Sequence, residues 1–281
     1  MKLGIFAKTF PGSTPETVLA ATRSAGFRAV QYNMACSGFA AMPDAIERDT
    51  ALRVARAARE AGLEIVAVSG TYNMIHPDRS VREAGLRRLE VLASRASEMG
   101  TRLVTLCTGT RDPEDQWREH PGNHRPDAWR DLLEAMEAAI AIAERHDVDL
   151  GIEPELANVV DGAATARRLI DELGSARLRI VLDPANLFER ADLAEQHRLV
   201  SEATDLLADR LAMGHAKDRI PDGGFTRAGR GVLDYPHYLA CLKAAGFHGP
   251  IVAHGLGAED AGEVAAFLRA AFDRAGIPVE P

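Results

Sequence analysis

Four side chains with metal-binding chemistry stand at the ends of successive apolar runs in the second half of the chain. Glu153 closes Gly151-Ile152-Glu153-Pro154-Glu155, and Asp183 closes Val181-Leu182-Asp183 before Pro184-Ala185-Asn186. His215 lies in Met213-Gly214-His215-Ala216-Lys217-Asp218, and His254 follows Ile251-Val252-Ala253. Taken singly, each is as readily a helix cap, an ion-pair partner or a hydrogen-bonded core histidine. As a set they resist that reading, because ionisable groups at the ends of buried strands are costly unless paired or bound to metal. Carboxylate and imidazole donors suit one divalent ion such as manganese, cobalt, zinc, nickel or iron, and two imidazoles make magnesium the weaker choice.

The elements that must position these residues can be read from the apolar pattern. Strands are predicted at Lys2–Ala7, Ala29–Asn33, Glu64–Ser69, Leu103–Thr108, Leu150–Glu153, Leu178–Asp183, Leu211–His215 and Ile251–His254. All are short and nearly continuous in apolar residues, as parallel strands covered on both faces should be. Between them lie segments of helical periodicity, among them Val81–Met99 and Ala128–Arg145. Thr14-Pro15-Glu16 supplies an N-cap, a first-turn proline and an acid at a helix start, and His76-Pro77-Asp78 and Arg125-Pro126-Asp127 repeat the last two signals. Gly26, Gly62, Gly100 and Gly246 each follow a helical run and precede a strand, which suits a left-handed helix exit. The strand ends carrying Glu153, Asp183, His215 and His254 are each one β–α unit apart. Eight such units without a break in composition predict one closed (β/α)8 barrel. An open doubly wound sheet fits less well, because no GxGxxG turn follows the first strand.

In such a barrel the strand-to-helix loops form the functional face. Three of them, Gly109–Arg125, Leu187–His197 and Asp218–Pro236, read as long and polar. Lys217 would sit beside an ion held by His215. Arg230, in a glycine-rich loop, could clamp a carboxylate or phosphate. Asn186 and Glu155 could bond substrate hydroxyls or orient metal ligands. His76 precedes a helix start and could face the site or serve as a cap. Trp117, with His120 and His124, sits in the loop after strand four, where an aromatic could stack on a sugar face or join a satellite core.

Composition narrows the function classes. The 281 residues are 46% hydrophobic and 26% charged, so the chain is an ordinary globular one rather than a disordered or fibrous one. A net charge of −8 disfavours nucleic-acid binding. The three cysteines, Cys36, Cys107 and Cys241, form neither a disulfide framework nor a CxxC motif, which fits a reducing, cytoplasmic setting. The apolar N-terminus is too short for a signal-peptide core, and no apolar run approaches the roughly 20 residues of a membrane span.

With these residues in view, the chain resembles the xylose isomerase-like TIM barrel superfamily, in its sugar phosphate isomerase/epimerase branch. The resemblance spans nearly the whole chain. It includes Tyr72-Asn73-Met74-Ile75-His76-Pro77-Asp78, Cys107-Thr108-Gly109-Thr110-Arg111, the four strand ends, and Gly229-Arg230-Gly231-Val232-Leu233-Asp234-Tyr235. It implies an α/β protein, residues 1–281 forming a single (β/α)8 TIM barrel, with one divalent metal held by Glu, Asp, His and Glu. It also implies proton transfer by two glutamates on opposite faces of a sugar, through an enediolate. Glu153, Asp183 and His215 match that ligand set, and Glu153 is then the candidate for proton transfer with Lys217 as helper. The fourth position departs, with His254 in place of Glu. Two carboxylates and two neutral imidazoles balance the ion's charge, which favours manganese, cobalt or zinc over magnesium. A ligated imidazole is a poor base, so a one-base isomerisation or a β-elimination from a keto-sugar gains over two-glutamate epimerisation.

The expected function is therefore a metal-dependent sugar isomerase or epimerase acting on a ketose, keto-sugar or cyclic polyol. The alternatives are a keto-sugar lyase or dehydratase, and a non-catalytic metal-bearing sugar-binding accessory protein. The expected partners are a small sugar or polyol, with no nucleic acid and no membrane; a homo-oligomer is left open. The DNA-repair relatives of endonuclease IV type fit poorly. Their three-zinc cluster needs a histidine where Asn186 stands and an Asp-x-His pair that the Gly229–Gly231 loop lacks.

Overall fold

The computed structural model describes residues 1–279. Eight parallel strands close into a barrel: β1 (Leu3–Phe6), β2 (Ala29–Tyr32), β3 (Glu64–Ser69), β4 (Leu103–Leu106), β5 (Asp149–Ile152), β6 (Leu178–Leu182), β7 (Leu211–Ala216) and β10 (Ile251–Ala253). They neighbour one another in chain order, and β10 returns to pair with β1. Around them run α1 (Pro15–Ser24), α2 (Arg48–Ala61), α3 (Arg79–Met99), α4 (Pro126–His146), α5 (Ala163–Leu173), α6 (Leu193–Leu207), α7 (Tyr235–Ala244) and α8 (Ala261–Arg274). The fold is thus a (β/α)8 TIM barrel, as the strand-end spacing predicts. A two-stranded antiparallel hairpin, β8 (Asp218–Arg219) with β9 (Phe225–Thr226), interrupts the loop between β7 and α7. No helix among the described residues is long and apolar enough to cross a membrane.

The local signals act as their chemistry requires. Thr14 caps α1 by accepting from the Thr17 amide, and Pro15 takes the first helical position. Asp78, rather than Pro77, marks the start of α3, because its side chain accepts from the Ser80 amide. Gly26, Gly62, Gly100 and Gly246 all take the left-handed conformation at helix exits, and Asp147 does the same after α4 at φ 53°. Two loop boundaries differ from the sequence expectation. Asp192 caps the Glu195 amide, so α6 starts inside the segment read as the loop Leu187–His197. The connection after β2, residues 33–47, is long and holds only a short 3-10 turn, Met34–Ser37.

The barrel interior is layered. Register pairs Gln31 with Ala67, Val181 with Met213, and His215 with Val252, so each pair shares a face of the sheet. Ala67, Leu103, Val181, Met213 and Val252 form a small apolar cluster of their own. At the C-terminal ends of the strands the side chains turn polar: Gln31, Ser69, Thr105, Asp183 and His215 are all buried there. The large helix–strand core, from Met1 to Ile277, surrounds the barrel.

Candidate metal centre and sugar cleft

Glu153, Asp183 and His254 each stand one residue past the end of a strand, and His215 lies within β7. Ladder bonds continue past the strands to hold them: the Glu153 amide donates to Leu106 O at 3.0 Å, and the His254 amide to Ala216 O at 3.3 Å. Beside Asp183 the backbone is secured by Tyr238 of α7, whose hydroxyl donates to Leu182 O at 3.1 Å. That approach requires glycine at 214, since a Cβ there would lie 2.6 Å from the Tyr238 Oη. The four side chains converge, and one donor atom from each lies within 4.8 Å of the others. Two donors about 2.1 Å from one ion cannot be more than about 4.2 Å apart, so this grouping needs only a small contraction to enclose a divalent cation.

The hydrogen bonds sharpen the fit. His215 Nε2 lies 2.9 Å from Gln31 Oε1, which only accepts, so Nε2 carries the proton. Its other nitrogen, Nδ1, then faces Glu153 Oε1 at 3.0 Å and Asp183 Oδ2 at 4.0 Å. A neutral imidazole would oppose its lone pair to those carboxylates, and a cation between them, proton or metal, removes the clash. Gln31 is itself fixed, donating through Nε2 to Ser69 Oγ and Thr105 Oγ1, each at 3.1 Å. This residue is absent from the sequence reading, since one glutamine in an apolar strand carries no local mark.

The remaining contacts form one network around Asp183. His254 Nε2 lies 2.9 Å from Asp183 Oδ2, and the Lys217 ammonium lies 3.2 Å from the same oxygen. Asp183 Oδ1 accepts from the Ala185 amide at 2.9 Å. Asn186 is a bridge: its Nδ2 donates to Glu153 Oε1 at 3.0 Å, and its Oδ1 accepts from Lys217 Nζ at 2.8 Å. Lys217 is buried, with its ammonium also 3.8 Å from the centre of the Phe225 ring on β9.

Protonation follows from these neighbours. Burial alone would raise the Glu153 and Asp183 carboxyls, yet both are held below the usual range, Glu153 chiefly by His215 and Asp183 chiefly by Lys217 and His254. Burial works against charge on His215 and Lys217, but the carboxylates outweigh it and both are raised. Burial, reinforced by His215, lowers His254 and favours its neutral form. Glu155 moves the other way, pushed up to about 8 by burial and by the charge of Glu153.

A cavity of about 290 Å³ opens over this centre. Glu153, Glu155, His215 and His254 line its floor, and Trp117 lines it from the loop after β4. Of the other sequence candidates, Asn186 and Lys217 meet Glu153 and Asp183 and are not among the residues lining the cavity. Two fall elsewhere. Arg230 is exposed and paired with Glu263 at 2.6 Å, because its loop faces the start of α8. His76 accepts from the Asp78 amide at 3.0 Å through Nδ1 and sits 3.1 Å from Pro113 O through Nε2, so it ties two loops together outside the cavity.

Comparison with known proteins places this fold. The chain resembles the 3-keto-D-glucoside 4-epimerase of E. coli at 18% identity and a TM-score of 0.75, covering 96% of this chain and 99% of that one. It resembles an L-ribulose 3-epimerase at 19% identity and a TM-score of 0.76, covering 98% and 95%. A probable 3-DHS dehydratase of Bacillus anthracis aligns at 12% identity and a TM-score of 0.72, covering 96% and 98%. At these identities the likeness is one of fold. No curated protein matches the sequence. The xylose isomerase-like TIM barrel family matches residues 19–271, nine-tenths of the chain and every barrel strand but the first, and the chain belongs to that family.

Proposed function

We propose that this protein is a metal-dependent sugar isomerase or epimerase acting on a ketose, keto-sugar or cyclic polyol. The observation that carries the reading is the convergence of Glu153, Asp183, His215 and His254 beneath a cavity that also exposes the carboxyl of Glu155. A divalent ion held by those four would supply Lewis-acid polarisation of a substrate carbonyl or hydroxyl oxygen. Gln31 holds His215 in the tautomer that turns Nδ1 inward, and Asn186 holds Glu153. Lys217 offsets the negative charge of Asp183 and acts through it rather than on the substrate. Proton transfer falls to Glu153 or, on the same segment, Glu155. Glu153 Oε1 already meets Asn186 and His215, whereas Glu155 borders the cavity without being one of the four donors.

Both carboxyls come from the end of β5, and the position that would present a second base from β10 is His254, engaged with Asp183. That arrangement supports proton transfer by one base, as in aldose–ketose isomerisation. It equally suits β-elimination, which keeps a keto-sugar lyase or dehydratase as the second reading. The test is solvent-deuterium incorporation across a ketose and keto-sugar panel with the manganese-, cobalt- and zinc-loaded protein. Exchange at the carbon next to the carbonyl is expected. An unsaturated product would select the lyase, and no exchange with any metal would favour a sugar-binding accessory role.

A further inference from the structure

We infer that the cleft selects a free monosaccharide, without a phosphate, acid group or aglycone; this rests on the sugar-acting reading above. Size is the first reason. At about 290 Å³ the cavity lies at the lower end of small-molecule sites, which suits a single sugar better than a glycoside.

The wall chemistry is the second reason. Away from the metal-binding floor, the cavity is bordered by Asn33, Ser69, Thr71, Thr105 and Gln116, all uncharged groups that both donate and accept. Sugar hydroxyls do the same, whereas a phosphate at neutral pH carries about −1.5 to −2 charge and its oxygens mainly accept. Ser69 and Thr105 each accept from Gln31 Nε2, which leaves their own hydroxyl hydrogens to donate into the cavity. Trp117, half exposed at 51%, offers an indole face to the C–H face of a sugar ring.

Charge is the third reason. Among the described residues bordering the cavity, Lys8 is the single lysine or arginine, and it is exposed to solvent, where one ammonium is a weak counter-charge. The Lys217 ammonium is committed to Asp183 and Asn186, and Arg230 to Glu263.

Calorimetric titration of the manganese-loaded protein decides the point. The probes are free ketopentoses and ketohexoses, their terminal phosphate esters and their methyl glycosides. At least one free sugar is expected to bind at least tenfold more tightly than its own ester and its own glycoside, with Trp117→Ala weakening it about tenfold. An ester or glycoside that binds as tightly as the free sugar overturns the inference, and so does the absence of binding by every free sugar. Failure of the underlying reading is a separate result. Free-sugar binding without deuterium exchange removes the isomerase and keeps the substrate class, while exchange confined to phosphate esters does the reverse.

Discussion

Three of the four proposed ligands, Glu153, Asp183 and His215, are held by a group outside the set, and the pairs set what substitutions should do. His215→Ala and His254→Ala each remove one of four donors, so both variants should retain far less manganese or zinc after dialysis than the parent, as read by elemental analysis. Unchanged metal content in both would remove the centre. Gln31 tests the support rather than the ligand. Its carbonyl fixes the proton on His215 Nε2, and outer partners of this kind are worth about 10–100-fold in metal affinity. Gln31→Leu should weaken metal binding by that factor, measured by competition with a chelator, while circular dichroism stays unchanged. At this scale the four donors were legible, because each is a polar residue ending an apolar run. Gln31 was not, because its role arises from a contact 184 residues away in the chain. Asn186 was legible as a candidate, but whether it would meet substrate or ligand depends on a partner 33 residues away.

Elements matter here through the loops they anchor. The loop that carries Trp117 is pinned through Arg111, whose guanidinium donates to Ile75 O at 3.0 Å and to Asp131 Oδ2 on α4 at 2.7 Å. Arg82 of α3 meets the same carboxylate oxygen at 2.8 Å. Burial would raise the Asp131 carboxyl, but the two guanidiniums prevail and lower it. A depressed folded-state value stabilises the protein above the unfolded value, about 3.9, and that contribution disappears as pH falls through the folded value. Asp131→Asn should therefore be less stable than the parent at neutral pH, and the two urea midpoints should converge on acidification. A gap that acidification leaves unchanged would refute the account. The hairpin of β8 and β9 was not readable from sequence. Its order comes from Asp218, which accepts from the Arg219 and Leu233 amides, each at 2.9 Å, and from the Gly229 amide at 3.1 Å. An isolated aspartate gives no sign of such distant amides.

At the scale of the molecule, barrel closure and ligand convergence are coupled. Four consecutive strands, β5, β6, β7 and β10, each contribute one donor, so an ion that binds only the closed barrel stabilises the whole fold. At 100 times its dissociation constant it adds about 2.7 kcal/mol. For a chain of this size each kcal/mol moves the melting temperature by roughly 2–4 °C. Saturating manganese or zinc should therefore raise Tm by roughly 5–10 °C, with the gain abolished by chelation and largely lost in His215→Ala. The barrel and the grouping of its four strand-end side chains were written in local chemistry: short apolar runs, prolines and acids at helix starts, glycines at exits, and a carboxylate or imidazole at each of four strand ends. Those signals are properties of neighbouring residues, so they survive without knowledge of the fold. The tertiary structure alone settled which groups stand behind the donors, that Arg230 turns to Glu263, and that uncharged side chains border the cleft. Those facts depend on strands brought side by side from distant parts of the chain, and the energy of a buried polar group is set by the partner it meets there.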